Sequence, residues 1–328
     1  MLNHFAALQR LAAKTGARIN LDTSNFVFEA KLRNRYFSFY PQFLVLKDQR
    51  LSHVPALVDE AIGFAGWRPY PPYSFPLSTD KLLFKRHLEA AGQRVPVTWM
   101  DPGDADRDFV IKRSMGSFGM KMSGPFRAAE RNAFELGEAA SGSGEIFAEQ
   151  FIEGVIIKVW YWGQRAFFAH EQAYPLITSD GGTTLSELAR TRMRVAPGDW
   201  SGSPAAAVAH ACLRYQGLAP GDVLAADRTA WIDYRYGRTY DQGGLSRFSD
   251  NVLARLPEAV RGQIASAGAV AARALAEVMP APVAYALDAM LDREGRLWWL
   301  EMNSNPVVPP EGYAEMFADL FGVPGPAA

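Results

Sequence analysis

Two apolar segments near the C-terminal end, residues 283–291 and 297–303, constrain the fold most strongly. Each has the length and composition of a buried strand, yet each carries polar side chains within its apolar run. The short polar stretch between them predicts a β-hairpin. If Glu294-Gly295 forms a two-residue turn, Asp288 on the first strand lies directly opposite Glu301 on the second.

The second strand of this hairpin adds an amide to the two carboxylates. Because side chains alternate along a strand, Glu301 and Asn303 are expected to share a face with Leu297 and Trp299. Two carboxylates among large apolar groups would repel each other and lose hydration, so a cation is the natural third partner. Oxygen ligands favour Mg²⁺ or Mn²⁺ over zinc. The alternative is an exposed hairpin whose charges are unrelated.

A second candidate site follows the predicted strand 108–112. Lys112 ends this strand, and a serine- and glycine-rich loop comes next, whose backbone N–H groups could contact phosphate oxygens. The spacing differs from that of the P-loop, which ends in Gly-Lys-Ser/Thr. An ordinary glycine turn is the alternative. The candidate phosphate-binding residues are Lys112, Ser114, Gly116, Ser117 and Gly119.

A third candidate site lies where the predicted strand 145–149 runs into a loop. The sequence there is Glu149-Gln150-Phe151-Ile152-Glu153-Gly154. Exposed backbone at such a strand end could hydrogen-bond the edge of an adenine ring. A plain strand end without a ligand is the alternative reading.

Helices and strands alternate along the rest of the chain, which indicates the α/β or α+β class. The proline cluster 69–73 cannot continue a helix and predicts a boundary. The further predicted elements are an N-terminal helix, strands at 26–28 and 36–40, a helix capped by Ser78 and stopped by Gly92, a helix before residues 141–144, a helix opened by the capping box of Thr184 and Glu187, and an alanine-rich helix at 263–278.

Composition narrows the classes of protein. The 328 residues suffice for roughly two or three domains, and 34 basic against 35 acidic side chains give a formal charge of −1. This balance argues against a protein that coats nucleic acid or an anionic membrane. The single cysteine, Cys212, excludes a disulfide framework and a thiolate zinc cluster. Without a signal-peptide core or a membrane-length apolar run, a cytoplasmic location is expected.

Taken in chain order, the three candidate sites resemble the ATP-grasp superfamily over about residues 77–308. Segment 77–96 is similar to the opening of the nucleotide-binding region in D-alanine–D-alanine ligases. Segment 180–188, and Arg235 ahead of Gly243-Gly244, are similar to cyanophycin synthetases. Residues 1–68 match no template.

The resemblance implies an α+β, ATP-grasp fold. Its expected parts are an N-terminal substrate-side domain at 1–76, a central subdomain at 77–152 and a C-terminal subdomain at 153–328. The implied activity is that of an ADP-forming ligase that activates a carboxylate as an acyl-phosphate and joins it to an amine. The expected substrates are amino acids or short peptides, and a homodimer is a further expectation. A polyamine or other acceptor, and a non-catalytic nucleotide-binding module, are the alternatives.

The resemblance also implies roles for individual residues. Lys81 and Lys112 would hold ATP phosphates, and loop 116–119 would close over them. Backbone groups at 150–152, with the Glu149 side chain, would bind adenine. The implied metal ligands for two Mg²⁺ ions, with Mn²⁺ as an alternative, are Asp288, Glu301 and Asn303.

Arg235, with Arg238 as a second candidate, would stabilise the acyl-phosphate. The chain departs from many relatives at Ile156, where an acid would bind ribose, and Glu153 is the candidate replacement. It also departs from D-alanine–D-alanine ligases at Ala286, where an arginine is expected.

Overall fold

The protein has mixed α+β architecture, as predicted. The computed structural model describes residues 1–47, 50–116, 122–141, 143–236, 250–279 and 281–325. In this part of the chain, three antiparallel sheets of four or five strands and one two-stranded sheet are connected by helices.

The N-terminal segment forms one helix and a five-stranded sheet. The order of the sheet is β1-β2-β3-β4, and β5 pairs with the other half of the long strand β3. The elements are α1 (Leu2–Thr15), β1 (Arg18–Leu21), β2 (Phe28–Leu32), β3 (Arg35–Lys47), β4 (Arg50–Val54) and β5 (Ala61–Arg68).

The second sheet has the strand order β6-β9-β7-β8 and follows two helices. Its strands are β6 (Thr98–Trp99), β7 (Phe109–Arg113), β8 (Ser123–Phe126) and β9 (Ile146–Gln150). The preceding helices are α2 (Pro76–Thr79) and α3 (Lys81–Ala90). The Asp80 carboxylate accepts hydrogen bonds from the N–H groups of Leu82 and Leu83, so α3 begins at Lys81 and the predicted cap at Ser78 is wrong.

The third sheet has the order β11-β10-β14-β15 and contains the predicted hairpin. Its strands are β10 (Val155–Trp162), β11 (Arg165–Gln172), β14 (Ala284–Leu291) and β15 (Leu297–Asn303). A small sheet pairs β12 (Leu176–Thr178) with β13 (Thr229–Trp231). The remaining helices are α4 (Leu185–Arg192), α5 (Pro197–Trp200), α6 (Pro204–Tyr215), α7 (Glu258–Ala276) and α8 (Gly312–Phe321).

The largest hydrophobic core joins the first and third sheets. Phe28 and Phe39 of the first sheet and Tyr161 and Tyr285 of the third are fully buried in one cluster. The two tyrosine rings stack with their centroids 4.9 Å apart. The N-terminal segment therefore packs on the sheet that carries the acidic hairpin.

The helix predicted before residues 141–144 is wrong. Strand β8 and two single 3₁₀ turns, 128–130 and 137–140, occupy this region instead. Side chains bind the backbone groups that a helix would use: Asp108 accepts from the N–H of Ala128, and Arg113 donates to three backbone carbonyls.

One smaller sequence prediction changes in the structure, and another is only half fulfilled. The strand predicted at 26–28 begins only at Phe28, because Phe26 adopts a positive φ of 58° that interrupts an extended chain. Thr184 caps α4 as predicted, accepting from the N–H of Glu187, whereas the Glu187 carboxylate pairs with Arg190.

The three larger sheets each fall within one predicted domain range, and the ranges themselves stay predictions. Among the described residues no helix is both long and apolar enough to cross a membrane.

Helix α7 provides a matched test of this packing, because Gly262 and Gly268 lie in the same helix. A Cβ added at Gly268 would lie 2.5 Å from Tyr161 Cε1, whereas one at Gly262 would meet no atom within 4 Å. We expect Gly268→Ala to lower the free energy of unfolding by about 1–3 kcal/mol. Gly262→Ala should raise it by about 1 kcal/mol, the helix-propensity gain. Denaturant unfolding measures both, and equal effects would contradict this packing.

Candidate active site

Asp288 and Glu301 lie opposite each other on β14 and β15, as predicted, but the hairpin achieves this differently. Its turn has three residues rather than two. The N–H of Asp292 donates to the carbonyl of Arg296 at 3.0 Å, and Gly295 takes the left-handed φ of 76° that closes such turns. A β-bulge between the turn and the Asp288–Glu301 pair compensates for the extra turn residue.

The bulge falls at Leu300 and changes the face of the site. Leu297, Trp299 and Met302 all belong to the hydrophobic core, so Glu301 and Asn303 lie on the opposite face. The prediction that Leu297 and Trp299 share a face with the polar residues is therefore wrong. The extra residue Leu300 interrupts the alternation of side chains along β15. It therefore places Glu301 and Asn303 on the face of the sheet opposite to Leu297 and Trp299.

Asp288 is held by a lysine that sequence reasoning missed. Lys158 lies beside it on β10, with Nζ 2.6 Å from Asp288 Oδ1, and Asn303 Nδ2 donates to Asp288 Oδ2 at 3.1 Å. The signal was present in the sequence. Lys158 is the only charged residue in the apolar run 155–162, where a strand buried on both faces would carry none.

Glu301 contacts a second lysine from a different element. Lys81, the first residue of α3, places Nζ 3.1 Å from Glu301 Oε2 and also donates to the carbonyl of Gly116. Lys81 therefore connects the acidic hairpin to the first described residues of the glycine-rich loop. Ser114 is buried, and its carbonyl accepts from the N–H of Lys81. Ser117 and Gly119 lie outside the described residues.

Lys112 forms a buried ion-pair triad with Glu149 and a third lysine. Both oxygens of Glu149 are used: Oε1 contacts Lys112, and Oε2 lies 2.6 Å from Nζ of Lys85. All three side chains are buried. Lys85 follows Lys81 by one helical turn, the spacing that places two side chains on one face of α3, and this was its sequence signal.

The charged groups of these two clusters also affect one another. Burial alone would raise the pKa of Glu301, but Lys81, Lys112 and Lys158 outweigh it, and the pKa falls below its ordinary value. Burial raises the pKa of Asp288 in spite of Lys158, and the neighbouring Glu301 adds to that rise. Lysines from three separate elements thus act on one carboxylate.

The oxygen atoms of Asp288, Glu301 and Asn303 form a donor set that fits a hard divalent cation. Two carboxylates and an amide oxygen suit Mg²⁺ or Mn²⁺, which prefer oxygen ligands. No group of three or more His, Cys, Asp and Glu side chains suited to a metal occurs in the described ranges. The fit therefore depends on Asn303 as the third ligand.

The segment predicted to bind adenine borders a cleft of about 360 Å³, which Gln150, Ile152 and Glu153 help to line. This cleft adjoins the acidic hairpin at its turn rather than at its carboxylates. The N–H groups of Gln150 and Phe151 already donate to the carbonyls of Val97 and Asp108, each at 2.8 Å. These two donors are occupied within the protein.

Arg235 is buried and paired rather than exposed to the cleft. Its guanidinium donates twice to Asp233 at 2.9 Å, and Nη1 lies 3.7 Å from Glu138. Burial would lower the pKa of Arg235, but Asp233 outweighs this effect and raises it. The next residue, Tyr236, lies with its ring centroid 5.3 Å from Lys158 Nζ. Arg238 lies outside the described residues.

No family model matches the sequence, and no curated protein does either. Solved structures that resemble the chain include a bifunctional glutathione synthetase from Pasteurella multocida, with 18% identity, a TM-score of 0.42, and coverage of 92% of this chain and 39% of that one. Another is the D-alanine–D-alanine ligase from Bacillus anthracis, with 12% identity, a TM-score of 0.40, and coverage of 75% and 66%.

A biotin carboxylase from Campylobacter jejuni, in a β,γ-ATP complex, matches at 14% identity with a TM-score of 0.41 over 76% of this chain and 48% of that one. The solved structures that resemble the chain are thus of the kind that the sequence resemblance predicts, at identities of 12–18%. The chain spans well under half of the glutathione synthetase.

The Lys85–Glu149–Lys112 triad makes a direct prediction. Glu149→Gln leaves two buried lysines without their carboxylate, so we expect the free energy of unfolding to fall by about 3–5 kcal/mol. The exposed Glu145, on the same segment, provides the matched control, and Glu145→Gln should change stability by less than about 0.5 kcal/mol. Urea unfolding of both variants at pH 7 tests this, and equal stabilities would show that the triad is not formed.

Proposed function

We propose that this protein is an ATP-dependent ligase that phosphorylates a carboxylate and joins it to an amine, releasing ADP and phosphate. The observation that carries the proposal is that Lys81 contacts Glu301 and Lys158 contacts Asp288, while Lys112, held by Glu149, also lowers the pKa of Glu301. Cations from three elements around an oxygen donor set are what binding of a polyphosphate with its divalent cation requires.

In this proposal the acidic hairpin would hold the cation. Asp288, Glu301 and Asn303 would be its ligands, and the cation, when bound, would supply charge neutralisation for the phosphates. Lys81 and Lys158 now contact these carboxylates directly, so ATP and its cation would release both ammonium groups to phosphate oxygens. The lysines therefore keep the acids neutralised until the nucleotide binds.

The chemistry has two steps whose atoms balance. A carboxylate oxygen of the substrate attacks the γ-phosphorus and ADP leaves, which forms an acyl-phosphate. An amine nitrogen then attacks the acyl carbon, and inorganic phosphate departs with the former carboxylate oxygen and takes up the proton that the amine loses. Both transition states concentrate negative charge on phosphate oxygens, which Lys81, Lys112 and Lys158 would stabilise.

Glu149 takes a positioning role in this proposal. Because both of its oxygens contact lysines, it orients Lys112 rather than reaching adenine. The adenine edge is left to the backbone around Ile152, next to the cleft of about 360 Å³. Arg235 stays a candidate for stabilising the acyl-phosphate, but it would first have to exchange its bonds to Asp233.

Product analysis tests the reaction type. We expect the full chain, with ATP, Mg²⁺ and a mixed pool of amino acids, to release ADP and phosphate and to form a product one water lighter than two pool members. Nucleotide chromatography and mass spectrometry measure both. Release of AMP and pyrophosphate would contradict the acyl-phosphate step. Binding of Mg·ATP without turnover for any amine or acid would favour the non-catalytic nucleotide-binding module.

Substitution of Glu301 tests the metal assignment. Glu301→Gln preserves side-chain volume but removes the charge, so we expect ADP release to fall at least about 100-fold with an unchanged circular dichroism spectrum. Glu294 lies in the turn of the same hairpin and is exposed, and Glu294→Gln should retain full turnover. Turnover by the Glu301 variant at the wild-type rate would remove this carboxylate from the site.

Substitution of Lys158 tests the residue that the sequence motifs did not reveal. Lys158→Met should lower kcat by about 100-fold, because one cation is lost from the phosphate site. Lys31, which is exposed on β2, is the matched control, and Lys31→Met should be silent. A Lys158 variant with a normal kcat and only a higher KM for ATP would assign this lysine to binding alone.

A further inference from the structure

Arg68, the last residue of β5, is fully buried without a carboxylate partner. Its Nη2 donates to the carbonyl of Pro306, but Nε and Nη1 make no hydrogen bond with any described residue. No ion pair to Arg68 is found in the described part of the chain. A buried guanidinium with unused donors costs free energy, so it needs an anion from elsewhere.

Gln42 on β3 is a second buried side chain with unused polar atoms. It has no exposed surface, and neither Oε1 nor Nε2 has a hydrogen-bond partner in the described residues. Gln42 pairs with Gly66, and Arg68 lies two residues further along β5, so both side chains point to the same face of the first sheet. Two buried side chains whose polar atoms lack hydrogen-bond partners thus lie on one face of the sheet.

This face lies against the chain that leaves the acidic hairpin. Pro306 accepts from Arg68, and the N–H of Val308 donates to the carbonyl of Ala65 at 2.9 Å. Asn303, the third candidate metal ligand, lies three positions before Pro306 in the sequence. The Arg68–Gln42 pair is therefore a near neighbour of the site where a carboxylate would be phosphorylated.

The surroundings supply no competing charge. His53 lies next to Arg68 and the backbone of Asn305, and burial, followed by the charge of Arg68, lowers the pKa of His53 to about 4. It is neutral at pH 7. The groups acting electrostatically on Arg68 are the tyrosines Tyr70 and Tyr313, both uncharged at that pH. Among these groups only the guanidinium of Arg68 is charged at pH 7, and the Gln42 amide lies on the same face of the sheet.

We propose that Arg68 and Gln42 bind the α-carboxylate and adjacent N–H donor of an amino-acid substrate, whose other end reaches the hairpin site. The guanidinium offers two N–H groups to the carboxylate, and the Gln42 amide offers one donor and one acceptor. This inference rests on the proposed ligase function and names its substrate class. Both side chains lack exposed surface, so binding would require the segment that contacts Arg68 through the Pro306 carbonyl to move aside.

Calorimetry on the full chain tests binding without requiring turnover. The probes are L- and D-aspartate and L- and D-glutamate, whose side-chain carboxylate can be the other end, each with its α-carboxamide analogue. We expect at least one acid to bind and its α-carboxamide not to. Arg68→Met should weaken that binding by about 10- to 100-fold, and Gln42→Leu by a smaller factor. Arg35, exposed on the same sheet, is the matched control, and Arg35→Met should bind as wild type does.

The stability of the variants separates a binding role from a structural one. Without amino acid, Arg68→Met should melt about 3 °C higher than wild type, because an unpaired buried charge is replaced by an apolar side chain. A lower Tm with unchanged amino-acid binding would show that Arg68 serves the Pro306 contact, and would overturn the proposal. So would failure of every acid to bind wild type.

Binding of a fluorescently labelled Mg·ATP analogue distinguishes this proposal from the ligase proposal. Arg68→Met should bind the nucleotide as wild type does while losing the amino acid. A wild-type chain that binds the acid through Arg68 but binds no Mg·ATP would refute the ligase function and leave the amino-acid site standing. Loss of nucleotide and amino-acid binding together in Arg68→Met would indicate global damage to the site and contradict the assignment.

Discussion

Compensation of buried charge is the constraint on which the rest of this structure depends. Four lysines and three carboxylates are joined by ion pairs and are mostly buried: Lys81, Lys85, Lys112, Lys158, Glu149, Asp288 and Glu301. Any one of these groups alone would shift its protonation state or draw in water. They come from α3, β7, β9, β10, β14 and β15, so the second and third sheets must stay close for the charges to remain paired.

The two groups of ion pairs have different physical characters. The Glu149 triad is buried throughout, with each member contacting another, and this suits a fixed structural element. The side chains of the pairs at Asp288 and Glu301 keep 13–21% of their surface exposed, so solvent and ligands can compete for these carboxylates. A rigid triad behind exchangeable pairs would let the site rearrange its charges while the second sheet keeps its shape.

The sequence was sufficient for the ordered motifs but not for their local geometry. The position of Asp288 opposite Glu301 followed from strand pairing. The bulge at Leu300 had no local signal, because its apolar side chain fits either register. Lys158 and Lys85 were readable as lone charges at informative spacings. The missing helix before residue 141 depended on Asp108 and Arg113, whose bonds to distant backbone are set by tertiary contacts.

The hairpin shows that a fixed separation between two motif residues does not determine the path between them. A two-residue turn without a bulge and a three-residue turn with a one-residue bulge both bring Asp288 opposite Glu301. The two routes differ in the side of the sheet that Leu297 and Trp299 occupy. Both routes use the same number of residues between Asp288 and Glu301. Substitutions in the turn and in β15 could therefore exchange one route for the other without an insertion or deletion, which would conserve the motif spacing and rebuild the hydrophobic face behind it.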